Sequence, residues 1–291
     1  MDARNLTMFY VKLLLFSFIS CPLFAAQDNI VLVTEKNTSA LSKLVSHLSN
    51  ISPQFNYHVS TVENPASIGL DDYVIAIGAK QAVHADLLKY PKRIAVMLTA
   101  KQAESADVAS SIFIEPPLAR QLKLAHLLIP GSKKLGLLVS NDDDKNRIFT
   151  TLTAAEQQML QVINVEDYEN INQALFHVLK DTRLLLGHYD NRIYNAKNIK
   201  NILMTSYRQQ KVLIGPSRAY LKAGSFSTTF SDLSHIAQRI IDVVEHHKKS
   251  GHWLKADYNP HYRILFNPQV ARSLNIRVLD EVLLQQKMGE K

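Results

Sequence analysis

The chain has 291 residues, of which 46% are hydrophobic and 20% are charged, and its formal net charge is +7 at pH 7. These proportions are typical of a globular protein and exclude a disordered or collagen-like chain. The basic residues are scattered, with one local cluster at residues 246–249, and no basic patch is interleaved with aromatic residues. We therefore expect no nucleic-acid partner.

The first residues have the pattern of an export signal. Arg4 and Lys12 accompany an apolar run, Leu13–Ile19, and small residues follow it, which predicts a cleavable signal peptide spanning residues 1–26. The run is shorter than the roughly 20 residues of a membrane span, so we expect a periplasmic mature chain that does not cross the membrane. Cys21, the only cysteine, leaves a lipoprotein acylated at that residue as the alternative.

The first half of the mature chain alternates between apolar strands and helices. The predicted strands are Asn29–Thr34, Tyr57–Val62, Tyr73–Gly78, Arg93–Thr99 and Ser110–Glu115. The predicted helices are Thr38–Leu48 and Ala79–Leu88. Continuous apolar strands that alternate with helices are typical of a parallel sheet covered on both faces.

A break between Ile112 and Asn141 interrupts this alternation. Pro116-Pro117 cannot lie inside a regular element, and the residues from Leu118 to Leu128 then have the apolar spacing of a helix. Pro130-Gly131 ends that helix, and a new apolar strand begins at Leu135. We interpret this stretch as the passage between two lobes.

The same pattern resumes after the passage. The predicted strands are Leu135–Ser140, Val162–Val165, Arg183–Gly187, Val212–Gly215 and Tyr262–Phe266. The predicted helices are Lys145–Met159, Asn172–Lys180, Asn195–Gln209, Asp232–Lys249 and Pro268–Leu274. We predict an α/β fold in which each lobe is a mostly parallel sheet flanked by helices. Residues 27–117 and 229–255 are expected to form lobe one, and residues 118–228 and 256–291 are expected to form lobe two.

Glycines mark the predicted ligand-binding edge of each sheet. The nine glycines include no Gly-x-Gly-x-x-Gly or P-loop pattern, so the backbone cradles that hold phosphates are missing. Three of them, Gly78, Gly187 and Gly215, follow the last residue of an apolar strand. Open α/β sheets bind ligands at the carboxyl ends of their strands. The alternative is that each glycine only permits a tight turn from strand to helix.

Residues that follow the carboxyl ends of the strands are the candidate ligand contacts. They are Ala79, Lys80, Gln81, Asn141, Tyr189, Asp190, Ser217 and Arg218. Arg218 could hold a carboxylate through two parallel hydrogen bonds, Asp190 could bind an ammonium group, and Tyr189 could stack on an apolar body. The alternative is that Arg218 and Asp190 pair with each other or face solvent.

Other polar clusters have structural explanations. Asp142-Asp143-Asp144 lacks the spacing of a calcium loop, and acidic residues are favoured in the first turn of a helix. The adjacent His246 and His247 would point to different faces of a helix, so with His252 they are a poor metal site. No catalytic motif is present, and no nucleophile accompanies His188, although His188 could act as an acid or base with Asp190. We therefore predict no catalytic residue, metal or cofactor, and a protein that is not an enzyme.

Four stretches carry a resemblance to a known family. They are Val74–Ala82, Gln121–Val139, Lys222–Gly251 and Phe266–Ile276. In their order and spacing the chain resembles the ABC transporter substrate-binding proteins of the type I periplasmic binding fold, in the group that binds tryptophan- or tyrosine-type solutes.

This resemblance implies an exported protein that binds a small polar, amino-acid-like solute in a cleft between two lobes. It also implies an ABC permease or a membrane sensor as partner. Two departures from the family pattern support an alternative. Ala79 stands where members usually have threonine, and residues 101–111 lack the family's cleft loop. The alternative is a protein-interaction or sensory module that binds no solute.

Overall fold

The computed structural model describes residues 27–61, 68–132, 134–277 and 280–289. The predicted signal peptide, residues 1–26 with Cys21, lies outside the described residues. Within the described residues, no helix combines the length and the apolarity that a membrane crossing requires.

The first lobe is built on a six-stranded sheet in the part of the chain that the structure describes. Its strands are β1 (Asn29–Thr34), β2 (Asn56–Thr61), β3 (Tyr73–Ile77), β4 (Arg93–Leu98), β5 (Ser110–Phe113) and β11 (Asp257–Tyr258). They lie in the order β11-β5-β4-β3-β1-β2, and all the pairings are parallel. The inner strands are buried along almost their whole length, as a sheet covered on both faces requires.

The second lobe is built on another six-stranded sheet of described residues. Its strands are β6 (Leu135–Val139), β7 (Leu160–Asn164), β8 (Leu184–Leu186), β9 (Val212–Ile214), β10 (Ser227–Phe230) and β12 (Arg263–Phe266). They lie in the order β12-β10-β9-β8-β6-β7, and only the β10–β12 pair is antiparallel among these described strands. The prediction of two mostly parallel sheets flanked by helices is confirmed.

Helices cover both sheets. The described α-helices are α1 (Ser39–Ile51), α2 (Ala79–Ala82), α3 (Ala100–Ala103), α4 (Leu118–Leu128), α5 (Asp142–Phe149), α6 (Ala154–Gln158), α7 (Ile171–Lys180), α8 (Ile199–Arg208), α9 (Arg218–Ala223), α10 (Leu233–Ser250), α11 (Pro268–Ser273) and α12 (Glu281–Met288). Helix α10 packs beside α1 in the core of the first lobe. Helices α4 and α12 pack together against the second sheet.

The chain passes between the lobes more than once, through residues that follow β5, β10 and β11. Phe230 still pairs within the second sheet, and Asp257 and Tyr258 pair with β5 in the first. The pairing of the strands therefore changes sheet after Phe230 and after Tyr258. The lobe boundaries at residues 228 and 255 stay a prediction.

Two predicted helices are shorter than expected because local side chains interrupt them. The expected helix Lys145–Met159 is divided into α5 and α6, since Thr153 and Glu156 form a reciprocal capping box that starts a new helix. The expected helix Ala79–Leu88 stops at Ala82. There the His84 ring accepts a hydrogen bond from the Asp86 N–H, and a 3-10 turn follows.

Candidate functional site

Side chains from the carboxyl ends of both sheets meet in a cleft between the lobes. Two cavities, about 150 and 240 Å³ in volume, adjoin there and share Arg147 and Tyr189 in their linings. The first lobe contributes residues that follow β4 and β5, and the second contributes α5 and the residues that follow β8. We refer to these two cavities together as the interlobe cleft. This is the edge at which parallel α/β sheets bind ligands.

Glu115, just beyond β5, has two carboxylate oxygens in different environments. Its Oε1 accepts a hydrogen bond from the Ala100 N–H at 2.7 Å. Its Oε2 is buried and has no hydrogen-bond partner among the described residues. Burial raises the pKa of Glu115, although hydrogen bonds from backbone N–H groups and the charge of Arg147 act against that rise. Glu115, which lines the smaller cavity, therefore has a carboxyl group whose hydrogen bonds the described residues satisfy only in part.

Two tyrosines lie near Glu115 in the smaller cavity. Tyr258, at the end of β11, packs edge-to-face against Phe113 with the ring centroids 5.1 Å apart. Burial, with a further contribution from the charge of Glu115, raises the pKa of Tyr258 to about 12. The pKa of Tyr189 is raised by burial and by Glu115 in the same way, while the side chain of Ser217 lowers it. Both phenols are therefore neutral at pH 7.

Asp144 is the centre of a charged network in the larger cavity. Its side chain is only 4% exposed, and the Lys101 Nζ lies 3.1 Å from its Oδ1. Arg147 bonds to the same oxygen, and Arg192 bonds to Oδ2. Burial alone would raise the pKa of Asp144, but the hydrogen bonds and charges of Arg147 and Lys101 outweigh burial and lower it. Because Lys101 belongs to the first lobe, the network joins the two lobes.

Two of the predicted contacts, Tyr189 and Asp190, line the cleft. Asp190 is 8% exposed, and it accepts hydrogen bonds from the Ser140 hydroxyl and, at 2.9 Å, from the Arg192 N–H. Asn141 has a capping role, since its side-chain oxygen accepts from the Asp144 N–H at 3.0 Å and begins α5. Asp142, Asp143 and Asp144 lie in the first turn of α5, where the sequence predicted acidic residues.

The three contacts predicted on the first lobe have partners within that lobe. Lys80 Nζ lies 2.8 Å from Glu35 Oε1 at the surface. The Gln81 amide donates to the Ile77 carbonyl and accepts from the Glu35 N–H. Ala79 packs against the core beneath the sheet. The first lobe instead lines the cavities with the segment from Thr99 to Glu104 and with Glu115.

Ser217 and Arg218 lie at the start of α9. Ser217 adjoins Tyr189, whereas the exposed Arg218 places its guanidinium 5.6 Å from the centre of the Phe230 ring. Asp190 is bonded to Ser140 and Arg192, so the structure does not bring Arg218 and Asp190 together as a pair.

Sequence reasoning missed several residues of the cleft. They are Lys101, Glu115, Asp144, Arg147, Arg192 and Tyr258. Glu115 could have been found, because it follows a strand end by the same rule that nominated Asp190. Tyr258 could not, because its position depends on the pairing of β11 with β5.

The histidines that suggested chemistry have structural partners. The His188 Nε2 lies 2.9 Å from the Leu138 carbonyl, and burial lowers the pKa of its ring. The ring of His247 stacks on Trp253 with centroids 3.9 Å apart. Among the residues that the structure describes, no group of three histidine, cysteine, aspartate or glutamate side chains is arranged to hold a metal.

Sequence comparison relates part of the chain to a known protein. No family model matches the chain. Indole-3-acetaldehyde oxidase from Arabidopsis thaliana is 26% identical over 202 residues, which are 63% of this chain and 13% of that protein. The chain thus spans only a small part of that relative.

Solved structures match over most of the chain. A ligand-free, open substrate-binding protein with adhesive properties from Clostridium difficile is 12% identical, with a TM-score of 0.64, over 87% of this chain and 96% of that one. The ABC domain in complex with L-Trp from Streptococcus pneumonia is 15% identical, with a TM-score of 0.53, over 89% of this chain and 98% of that one. At such identities these likenesses establish the fold, which is the two-lobed type I periplasmic-binding-protein fold.

Proposed function

We propose that the protein is an exported solute-binding protein that holds a small polar solute in the interlobe cleft. The observation that carries this proposal is the meeting of strand carboxyl ends from both lobes at two adjoining cavities, which Glu115 lines from the first lobe and Asp190 lines from the second. Open α/β sheets bind ligands at this edge.

An amino-acid-like solute suits the mixture of groups in the cleft. Tyr189 and Tyr258 offer aromatic surface, while Glu115 and Arg147 offer groups of opposite charge at the smaller cavity. The L-Trp bound by the similar structure from Streptococcus pneumonia is consistent with this class of solute. The partner that we propose is an ABC permease or a membrane sensor, and the location that we propose is the periplasm. Both rest on the sequence resemblance and on the predicted signal peptide.

One observation favours a second candidate function. Lys101 and Asp144 already connect the lobes, and Arg147 and Arg192 are bonded to the same aspartate. A cleft whose charged groups are engaged with one another could hold a fixed lobe arrangement without a solute. The protein would then act as an interaction or sensory module.

Thermal unfolding of the mature chain, which starts at Gln27, distinguishes the two candidate functions. The chain is unfolded in the presence of amino acids, sugars, nucleosides or dicarboxylates. A solute that binds only the folded state raises the free energy of unfolding by about 3–4 kcal/mol at 100 to 1,000 times its dissociation constant. The Tyr189→Leu variant should weaken that binding, and Lys80→Met, which changes a surface pair outside the cavities, should not. If no compound stabilises the protein, the interaction module is favoured.

A further inference from the structure

We infer that the second lobe carries a copper(I) site, in which His126 and Met159 bind the metal and Met288 is a further sulfur ligand. This inference goes beyond the proposed function and does not depend on it, because the site lies outside the interlobe cleft. It adds thioether sulfur to the histidine and carboxylate donors from which we predicted no metal. Four observations support the assignment.

The first observation is a contact between a ring nitrogen and a thioether sulfur. The His126 Nε2 lies 3.0 Å from the Met159 Sδ, although the two residues are 33 positions apart in the chain. His126 lies in the last turn of α4, and Met159 directly follows α6. Both residues are half-buried, so solvent reaches them. Two groups that can ligate a metal therefore face each other at the surface of the second lobe.

The second observation is that both donors line a cavity of about 440 Å³. Met288, the last residue of α12, lines the same cavity. Of the six methionines in the chain, Met1 and Met8 precede Gln27, and two of the remaining four meet here. The cavity therefore gathers thioether sulfur from distant parts of the mature chain around one histidine.

The third observation is the kind of donor, which selects the metal. Thioether sulfur is a soft ligand that prefers copper(I), whereas calcium and magnesium prefer oxygen ligands. Imidazole suits copper, zinc, iron and nickel, so copper is the metal that suits both donors. Glu156 also lines the cavity, but its Oε2 accepts from the Thr153 N–H and hydroxyl, both at 2.8 Å. This carboxylate therefore caps α6.

The fourth observation is the charge around the cavity. Arg120 and Lys123 belong to the lining, and the Lys123 Nζ donates to the Met288 carbonyl at 2.5 Å. These cations repel a dication more strongly than a monocation, so they favour copper(I) over zinc(II). Two of the ligands lie at the C-terminal ends of α4 and α12, where the helix dipole stabilises a cation.

Binding requires a small movement of the Met159 side chain. With bonds of about 2.0 Å to nitrogen and about 2.3 Å to sulfur, as for zinc, a tetrahedral metal holds two such donors roughly 3.5 Å apart. The His126–Met159 contact must therefore widen by about 0.5 Å. A methionine side chain is unbranched and has several rotatable bonds, so it adapts easily to such a change.

Competition with bicinchoninate, under anaerobic conditions with ascorbate, measures copper(I) binding to the mature chain. Cys21, the only cysteine, precedes Gln27, so no thiol competes for the metal. We expect one copper(I) per chain. Met159→Leu and His126→Gln should each weaken binding at least about tenfold, or about 1.4 kcal/mol.

Met204→Leu is the matched control for these variants. Met204 is 43% exposed on α8 and does not line the cavity. Its replacement should leave the copper(I) affinity within twofold of the parent. Exchange of leucine for methionine nearly conserves volume and is usually well tolerated, so both methionine variants should fold.

A second measurement locates the metal in the parent protein and therefore does not depend on any variant. In a chain with isotope-labelled methionine methyl groups, copper(I) should shift the NMR signals of Met159 and Met288. The signals of Met97 and Met204, which do not line the cavity, should stay unchanged.

Three results would overturn the inference. They are failure of the mature chain to take copper(I) from bicinchoninate, equal affinity of the parent and Met159→Leu, and NMR shifts confined to Met97 or Met204. Equal affinity would place the copper at other donors, such as His246 and His252.

The thermal-unfolding panel tests the proposed function separately, because it contains no metal. Solute binding without copper binding would overturn the copper site alone. Copper binding without solute binding would leave the copper site standing and count against the solute-binding function.

Discussion

The Lys101 Nζ lies 3.1 Å from the Asp144 Oδ1, and this contact joins the first lobe to the second. The two partners differ in environment, because the lysine side chain is 60% exposed and the aspartate side chain is 4% exposed. An ion pair with an exposed partner contributes at most about 1 kcal/mol to folding. We therefore expect the Lys101–Asp144 ion pair to hold the lobes in one relative position more than it stabilises either lobe.

Removing the lysine should favour separation of the lobes. We expect Lys101→Met to increase the radius of gyration measured by small-angle X-ray scattering, while the free energy of unfolding changes by less than about 1 kcal/mol. Lys145→Met is the matched control, because Lys145 lies 3.9 Å from Asp142 within the second lobe. Identical scattering from the parent and Lys101→Met would show that this contact does not hold the lobes together.

Neutralising Asp144 should have a larger effect on stability. Asp144→Asn leaves Arg147, Arg192 and Lys101 facing one another without their shared anion. Breaking a fully buried pair costs about 3–5 kcal/mol, and the partial exposure of these cations lowers our expectation to about 2–3 kcal/mol. Urea denaturation of the parent and the variant measures the difference. A loss below 0.5 kcal/mol, typical of ordinary surface changes, would contradict the prediction.

The same aspartate predicts how stability depends on pH. Its pKa in the folded protein is lower than the ordinary value of 3.8, so the folded state favours the ionised form. This contribution is fully present above the unfolded-state pKa and is lost as the pH falls through the lower folded-state value. Denaturation curves between pH 7 and pH 3 should show the parent losing more stability than Asp144→Asn. Parallel losses in the two proteins would refute the assignment.

Gly187 should not tolerate a side chain, because this residue, which follows β8, lies against the end of β9 and the connection after it. An added Cβ would lie 2.7 Å from the Pro216 Cδ and 3.1 Å from the Ile214 carbonyl oxygen. We expect Gly187→Ala to cost about 1–3 kcal/mol through overpacking. Gly251→Asn is the control, since its left-handed φ of 72° suits asparagine and an added Cβ would meet nothing within 4 Å. Equal melting temperatures for the two variants would count against the packing argument.

Asn259 should stabilise the connection from β11 to β12. It is 2% exposed, its side chain donates to the His235 carbonyl at 3.1 Å, and it accepts from the His261 N–H at 2.9 Å. Asn259→Ala removes both hydrogen bonds of this buried side chain, so we expect a loss of about 1–3 kcal/mol. Asn56→Ala, at an exposed position of β2, should change stability by less than about 0.5 kcal/mol. Chemical denaturation of both variants tests this difference.

The bounds of helix α10 could be predicted from local sequence signals. Asp232 accepts hydrogen bonds from the Ser234 and His235 N–H groups, and Gly251 ends the helix in the left-handed conformation. Its predicted apolar face, including Ile236 and Ile240, is buried. Caps and apolar spacing depend on neighbouring residues, so the sequence predicted this helix nearly to its ends. The same reasoning merged α5 with α6, because it did not weigh the capping box at Thr153.

The sequence by itself determined the two α/β units, the break at Pro116-Pro117 and the strand ends where a ligand site was expected. Those features follow from periodicity and from residues that cannot continue a helix or strand. Only the tertiary structure decided which strand ends contribute to the cleft. It placed Glu115 beside Tyr258, and it bonded Lys101 to Asp144 across the lobes. These neighbours come from distant parts of the chain and meet through strand pairing and lobe packing, which no local pattern encodes.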